Sequence, residues 1–163
     1  MSYLEILEKV EIFSDLTSAQ IANIQGAGRE QIFYQGDVIF AENSPSDGFY
    51  IILNGEVAIQ LDPDLIRGHG DAFAAVTIAT LTPGQSFGEI SLVDQGVRSA
   101  TARCASEMCR VLLFFRDEFM ELLKEDLEMG FMVMHNLAGD LCFKIRNTNL
   151  LVREAMLYGY EEK

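Results

Sequence analysis

The stretch from Gln31 to Leu61, QIFYQGDVIFAENSPSDGFYIILNGEVAIQL, constrains the fold more than any other part of the chain. Short runs of β-branched and aromatic residues alternate there with turn residues at close and regular intervals. Strands that reverse so often are typical of a small barrel or jelly roll. The later runs VTIATL, TARCA and CRVLLFF have the same character. We therefore predict a β-barrel over residues 29–115.

Helical patterns flank this barrel on both sides. Residues 3–27 are predicted to form short helices, one of them starting at Thr17-Ser18-Ala19-Gln20, which has the form of a capping box. After the barrel, RDEFMELLKED is an amphipathic helix, and residues 127–158 have the period of a much longer one. The expected fold class is α+β, mainly β. It is a single domain over 1–163, with N-terminal helices in 1–28, the barrel, and C-terminal helices in 116–158.

Composition and charge exclude several partners and locations. The chain carries 25 acidic and 12 basic residues, a net charge of -13, which argues against binding to nucleic acid or to an anionic membrane surface. Its start, MSYLEILEKVEIF, lacks the features of a secretion signal. The run AFAAVTIATL is too short to span a bilayer, which needs ~20 residues. A cytoplasmic protein is expected, with Cys104, Cys109 and Cys142 as buried free thiols.

The segment FGEISLVDQGVRSA, residues 87–100, contains the chemistry of an anion site. Gly88 lets a ligand approach the backbone closely. The residues GEISLV can form one helical turn, whose N–H groups and dipole favour an anion. Arg98 adds a planar fork of donors suited to two phosphate oxygens. An alternative is that Glu89 and Arg98, nine positions apart, simply form a salt bridge that closes the loop.

Together these features resemble the cyclic nucleotide-binding domain of the bacterial catabolite activator protein, protein kinase A regulatory subunits and nucleotide-gated channels. The resemblance extends from Phe13 to about Val152. The barrel motif of the family is matched at Gly36-Asp37, Ile39-Phe40, Asn43-Ser44, Asp47, Tyr50-Ile51-Ile52 and Gly55. Asn43 stands where the family usually has glycine, and asparagine tolerates a positive φ best among the other residues.

The resemblance implies roles for the residues of 87–100, which correspond to the phosphate-binding cassette of the family. Arg98 and backbone N–H groups near Ser91 and Ala100 would bind the phosphate, and Glu89 the ribose 2'-hydroxyl. Ser99 follows the arginine, as in the catabolite activator, which favours cAMP over cGMP, although a serine hydroxyl could serve either ligand. The full set of predicted ligand-binding residues is Phe87, Gly88, Glu89, Ile90, Ser91, Arg98, Ser99 and Ala100.

The long helix has an uncharged heptad seam, which is predicted to form a parallel homodimer. The seam consists of Phe131, Met134, Ala138, Leu141, Ile145, Thr148, Val152 and Ala155. Its first two turns are expected to pack on the chain's own barrel. A helix of about 30 residues is ~45 Å long, so the remainder needs a partner. The resemblance implies that this helix also touches the purine, with Ile145, Asn147 and Thr148 as candidates and Lys144 as a further one.

The predicted function is a non-enzymatic sensor of a cyclic nucleotide, without a metal or a cofactor and with an unspecified downstream partner. The chain ends at Lys163, which leaves no room for a helix-turn-helix, so no DNA binding is expected. A metal-dependent cupin would need about three histidines and a carboxylate, but only His69 and His135 are present. A structural dimerisation module with an empty site or another anionic ligand is the main alternative. The link 62–75 is either an exposed loop, a lid or a partner surface.

Overall fold

Two four-stranded antiparallel sheets form the centre of the molecule. The structure, a computed structural model, describes residues 3–61, 75–94 and 96–158. The strands are β1 (Arg29–Tyr34), β2 (Val38–Phe40), β3 (Gly48–Asn54), β4 (Val57–Leu61), β5 (Val76–Leu81), β6 (Ser86–Phe87), β7 (Thr101–Cys104) and β8 (Met108–Phe115). One sheet has the order β1-β8-β3-β6 and the other β2-β7-β4-β5. The predicted jelly roll is confirmed. The link through residue 74, including His69, lies outside the described residues.

Helices precede and follow the strands, as the sequence predicts. They are α1 (Tyr3–Leu7), a 3-10 helix (Glu11–Phe13), α2 (Ser18–Ala27), α3 (Arg116–Glu125) and α4 (Leu127–Tyr158). The capping box of α2 is confirmed: the Gln20 N–H donates to Thr17 Oγ1 at 3.3 Å and the Thr17 N–H donates to Gln20 Oε1 at 3.0 Å.

Among residues 3–61, 75–94 and 96–158, no helix combines the length and the apolar character needed to cross a membrane.

The alternation of side chains along β3 explains why the first sheet is buried on both faces. Phe49 and Ile51 point towards the helices, where the Phe49 ring stacks on Phe114 at 4.9 Å between centroids. Tyr50 and Ile52 point the other way, into a second core between the two sheets. Successive residues of a strand point to opposite faces, so one strand serves both cores. The second core continues towards the segment 87–100.

The inner face of α4 differs from the predicted one. Met129, Val133 and Leu137, spaced four residues apart, are buried in the first core, where α4 packs on the 3-10 helix and on α3. Phe131, expected to pack on the barrel, is 69% exposed. Met134 and Leu141 lie only at the margin of the core. The expectation for Phe131 was wrong because α4 is apolar on several sides. The side that carries Met129, Val133 and Leu137 is the one that faces the 3-10 helix.

Beyond Leu141 most side chains of α4 are exposed, whereas Lys144 contacts Glu89. Large apolar residues there are exposed: Phe143, Ile145, Leu150, Leu151, Val152, Met156 and Leu157. The side chain of Ala155 lies outside the described residues. Cys142 is exposed on the same stretch, so its predicted burial is wrong, whereas Cys104 and Cys109 are buried as expected.

Candidate functional site

The segment 87–100 links β6 to β7 and begins with a tight turn. Gly88 has a φ of 71°, in the left-handed region that glycine adopts without strain. Glu89–Leu92 then forms a 3-10 turn, which confirms the predicted helical turn. The Ser91 N–H donates to the Gly88 carbonyl at 3.2 Å and closes it. The chain therefore reverses next to Gly88 and turns the Glu89 side chain into the protein, where it is 4% exposed.

The backbone of Arg98 is fixed by the turn between β2 and β3. The Asn43 N–H donates to the Arg98 carbonyl at 2.8 Å, and the Arg98 N–H donates to the Ser44 carbonyl at 2.9 Å. Asn43 has a φ of 63°, so the turn has the positive φ that asparagine was expected to tolerate. The β2–β3 turn thus places Arg98 opposite Gly88.

The side chain of Arg98 is buried, and its donors are poorly satisfied. Nη1 donates to the Gly88 carbonyl at 3.2 Å, and Nη2 lies 3.5 Å from Oδ1 of the exposed Asp47. Nε has no hydrogen-bond partner among the described residues. Burial lowers the pKa of the Arg98 guanidinium, although Tyr50, Asp47 and Glu89 oppose this. Its ion pair with the exposed Asp47 is long, so the buried cation would be stabilised further by an anion at its free edge.

A second unpartnered donor lies in the same segment. The hydroxyl of Ser91 is fully buried and has no partner within the described part of the chain. A buried polar group without a partner costs about 1–3 kcal/mol. A ligand with several acceptor oxygens would remove this cost for Ser91 and Arg98 together.

Glu89 is paired with α4 rather than with Arg98. Lys144 Nζ donates to Glu89 Oε1 at 2.7 Å and also lies 2.8 Å from Asp140 Oδ2. Burial acts to lower the pKa of Lys144, but the two carboxylates outweigh it and the pKa is raised. The salt bridge between Glu89 and Arg98 that the sequence left open is therefore not the pairing found. Each of the two residues has its own counter-ion, Lys144 for Glu89 and Asp47 for Arg98.

The remaining predicted residues divide into buried and exposed ones. Phe87 and Ala100 are buried, whereas Ile90 and Ser99 are exposed. On α4, Ile145, Asn147 and Thr148 are all exposed. The Thr148 hydroxyl donates to the Lys144 carbonyl at 2.9 Å, one turn earlier, so Thr148 shares a side of the helix with the lysine that reaches Glu89.

Two functional contacts were not predicted from the sequence. The pairing of Lys144 with Glu89 spans 55 positions, and the sequence marked Lys144 only as a purine candidate. The ring of Phe40 lies under Arg98, with the guanidinium carbon 4.2 Å from its centroid. The motif around Gly36-Asp37 places Phe40 near Arg98 in the fold, but no spacing rule could have indicated the stacking.

Replacing Gly88 by alanine is expected to weaken anion binding as well as stability. An added Cβ would lie 2.5 Å from Arg98 Nη1, and the φ of 71° would be strained, at about 1–2 kcal/mol. Gly84→Ala is the matched control, because Gly84 has a φ of 88° and nothing within 4 Å of an added Cβ. Both variants should lose the unfolding free energy that the strained φ costs, measured in urea, and Gly88→Ala should also displace the Arg98 side chain. Equal affinities for cyclic nucleotide in both variants would contradict this role of Gly88.

Comparison with known proteins identifies the family of the chain. The family model for the cyclic nucleotide-binding domain matches residues 30–126. The Cyclic AMP receptor protein of Thermus thermophilus is 34% identical over 134 residues, which are 82% of this chain and 55% of that protein. The cGMP-dependent 3',5'-cGMP phosphodiesterase A of Dictyostelium discoideum is 28% identical over 77% of this chain, but only 13% of that protein is matched.

A solved structure gives the same result. The catabolite activator protein of Thermus thermophilus superposes with a TM-score of 0.74 and 26% identity, covering 90% of this chain and 63% of the other. A jelly roll whose inter-strand cassette carries a buried arginine and glutamate defines a class of ligand-binding regulatory domains. The chain belongs to the cyclic nucleotide-binding domain family.

Proposed function

We propose that this chain is a sensor module that binds a cyclic nucleotide, cAMP in preference to cGMP, and catalyses no reaction. The observation that carries this proposal is that the segment 87–100 contains two buried donors without a partner among the described residues, the Nε of Arg98 and the hydroxyl of Ser91. Together they form a small cationic, donor-rich site in a chain of net charge -13. The preference for cAMP is supported by Ser99 and by the similarity to a cyclic AMP receptor protein.

Within this site we assign one function to each group. Arg98 and the amides near Ser91 and Ala100 bind the cyclic phosphate, while Phe87, Gly88, Ile90 and Ser99 form the surrounding cassette. Glu89, which is an acceptor when ionised, binds the ribose 2'-hydroxyl. On α4, Thr148 is the first candidate for the purine, ahead of Ile145 and Asn147, because it lies one turn beyond Lys144 on the same side of the helix.

The signal is proposed to pass through Lys144 to α4. A ribose hydroxyl that donates to Glu89 has to share the carboxylate with Lys144, which changes the strength of the one contact described between Glu89 and α4. A ligand shifts an equilibrium only by its difference in affinity for two states. We propose that the two states differ in whether the Glu89–Lys144 ion pair is kept or lost.

The exposed apolar part of α4 is proposed to form a homodimer of a cytoplasmic protein. Ile145 and Val152, seven positions apart, continue the predicted seam and are 60% and 46% exposed. A contiguous apolar surface of this kind is typical of an interaction site. Neither DNA nor a membrane is a proposed partner, given the acidic surface. The alternative is a dimerisation module with another anionic ligand, which is supported by Glu89 already having a counter-ion in Lys144.

Calorimetric titration with cAMP and with cGMP tests the proposal. We expect a dissociation constant of about 1 μM or lower for at least one of them, equivalent to ~8 kcal/mol, and tighter binding of cAMP. Linear 5'-AMP is the control, since it has the same base and ribose but a differently shaped phosphate. Absence of binding by both cyclic nucleotides would contradict the sensor and favour the dimerisation module.

A further inference from the structure

The guanidinium of Arg98 is held weakly along its edge. Its hydrogen bond to the Gly88 carbonyl is 3.2 Å long and its contact with Asp47 is 3.5 Å. Most N–H···O bonds in proteins are shorter, near 2.9–3.0 Å. Its Nε donor has no partner within the described ranges. The edge contacts alone therefore do not account for the orientation of a side chain that is only 4% exposed.

The face of the guanidinium, in contrast, lies on an aromatic ring. The guanidinium carbon is 4.2 Å from the centroid of Phe40, the last residue of β2, and 5.9 Å from that of Tyr50. These distances fall within the range of cation–π attraction, about 6 Å. The attraction is stronger here than at an exposed site because the cation is desolvated.

The position of the Phe40 ring is in turn fixed by two other aromatic residues. Its centroid lies 5.8 Å from both Tyr50 of β3 and Phe87 of β6, and these two rings stack on each other at 5.1 Å. Tyr50 and Phe87 are buried in the core between the sheets. The three rings thus form a support that is built on the strands β2, β3 and β6, at the point where the cassette begins.

We infer that Phe40 is a positioning residue for the anion site and that it acts through Arg98. Contact with the ring uses the face of the guanidinium and leaves its N–H donors free, so the cation is oriented without occupying the groups that bind phosphate. A side chain fixed in advance loses less entropy when the ligand binds. This inference rests on the proposed function, because the ligand is taken to be the phosphate of a cyclic nucleotide.

Three variants test the inference by titration with cAMP and cGMP. Phe40→Leu keeps an apolar side chain but removes the ring, and we expect about tenfold weaker binding of the preferred nucleotide. Phe40→Tyr retains the ring and should stay within about twofold of the parent, since a tyrosine face attracts cations similarly. Phe33→Leu is the matched control: Phe33 packs against the same core, and its loss should cost stability with little effect on affinity.

A double-mutant cycle separates an effect through Arg98 from a general structural effect. In an Arg98→Lys background, Phe40→Leu should weaken binding by less than about threefold, because contacting residues are not additive. An equal loss in both backgrounds, or a Phe40→Leu variant that binds like Phe33→Leu, would overturn the inference while leaving the sensor proposal intact.

NMR of the ligand-free protein tests whether Phe40 positions Arg98, even if the parent protein binds no cyclic nucleotide. Protons above an aromatic ring resonate upfield, so the Arg98 side-chain NMR signals of the ligand-free protein should move in Phe40→Leu. They should stay in place in Phe40→Tyr and Phe33→Leu. Unchanged Arg98 signals in Phe40→Leu would show that the ring does not position the guanidinium. Failure of cyclic nucleotides to bind the parent would instead remove the proposed function.

Discussion

Replacement of Arg98 by leucine is expected to weaken binding of the preferred cyclic nucleotide by about 100-fold or more. Each charge-assisted hydrogen bond contributes ~1.5–3 kcal/mol, and the guanidinium can make two of them to one phosphate. The variant also removes a buried cation, whose pKa is lowered by its burial. The folded state should survive, because leucine fills much of the same space above Phe40.

Arg103→Leu is the control for Arg98→Leu. Arg103 lies on β7, and its side chain donates to Gln60 and to the Gly36 carbonyl, neither of which belongs to the cassette. The two variants change the net charge equally. Calorimetry should give parent-like affinity for Arg103→Leu, with thermal melting to check the fold of both. If the two variants bind equally well, the phosphate is not held by Arg98.

Truncation after Cys142 is expected to convert a dimer of twice the 18.2 kDa chain mass into a monomer. The core contacts of α4 are made by Met129, Val133 and Leu137, so all of them remain in the truncated chain. The segment removed carries the exposed apolar residues, from Phe143 to Leu157. Analytical ultracentrifugation at several concentrations measures the change directly.

Point variants in the full-length chain locate the interface. Ile145→Glu combined with Val152→Glu should also give a monomer, because it buries two charges in the proposed seam. Asn147→Glu is the control, since it introduces the same kind of charge at a position outside the seam. A dimer that persists after truncation would refute the assignment of the interface to α4. So would an Asn147→Glu control that dissociates the dimer as readily as the seam variant does.

The sequence predicts best what depends on neighbouring residues. Strand alternation and turn residues predict the jelly roll, Thr17 and Gln20 predict the start of α2, and Asn43 predicts a turn with positive φ. Each of these depends on a few consecutive residues whose backbone preferences are known. The short helical turn after Gly88 was predictable for the same reason.

Contacts between distant elements were less predictable. The Glu89–Lys144 pair and the stacking of Arg98 on Phe40 each join residues more than 50 positions apart, and they depend on how the helices and sheets pack. The inner face of α4 was misplaced for the same reason. Apolar residues lie on several sides of that helix, and only the position of the N-terminal helices decides that Val133 faces the core and Phe131 the solvent.

Central to this account is the proposal that the buried guanidinium of Arg98 binds the phosphate of a cyclic nucleotide. A crystal structure of the protein with saturating cAMP measures this directly. We expect two phosphate oxygens within about 3 Å of the Arg98 nitrogens, and the ribose hydroxyl at Glu89. A structure in which Arg98 still contacts only Gly88 and Asp47, with the nucleotide absent from the cassette or bound elsewhere, would contradict it.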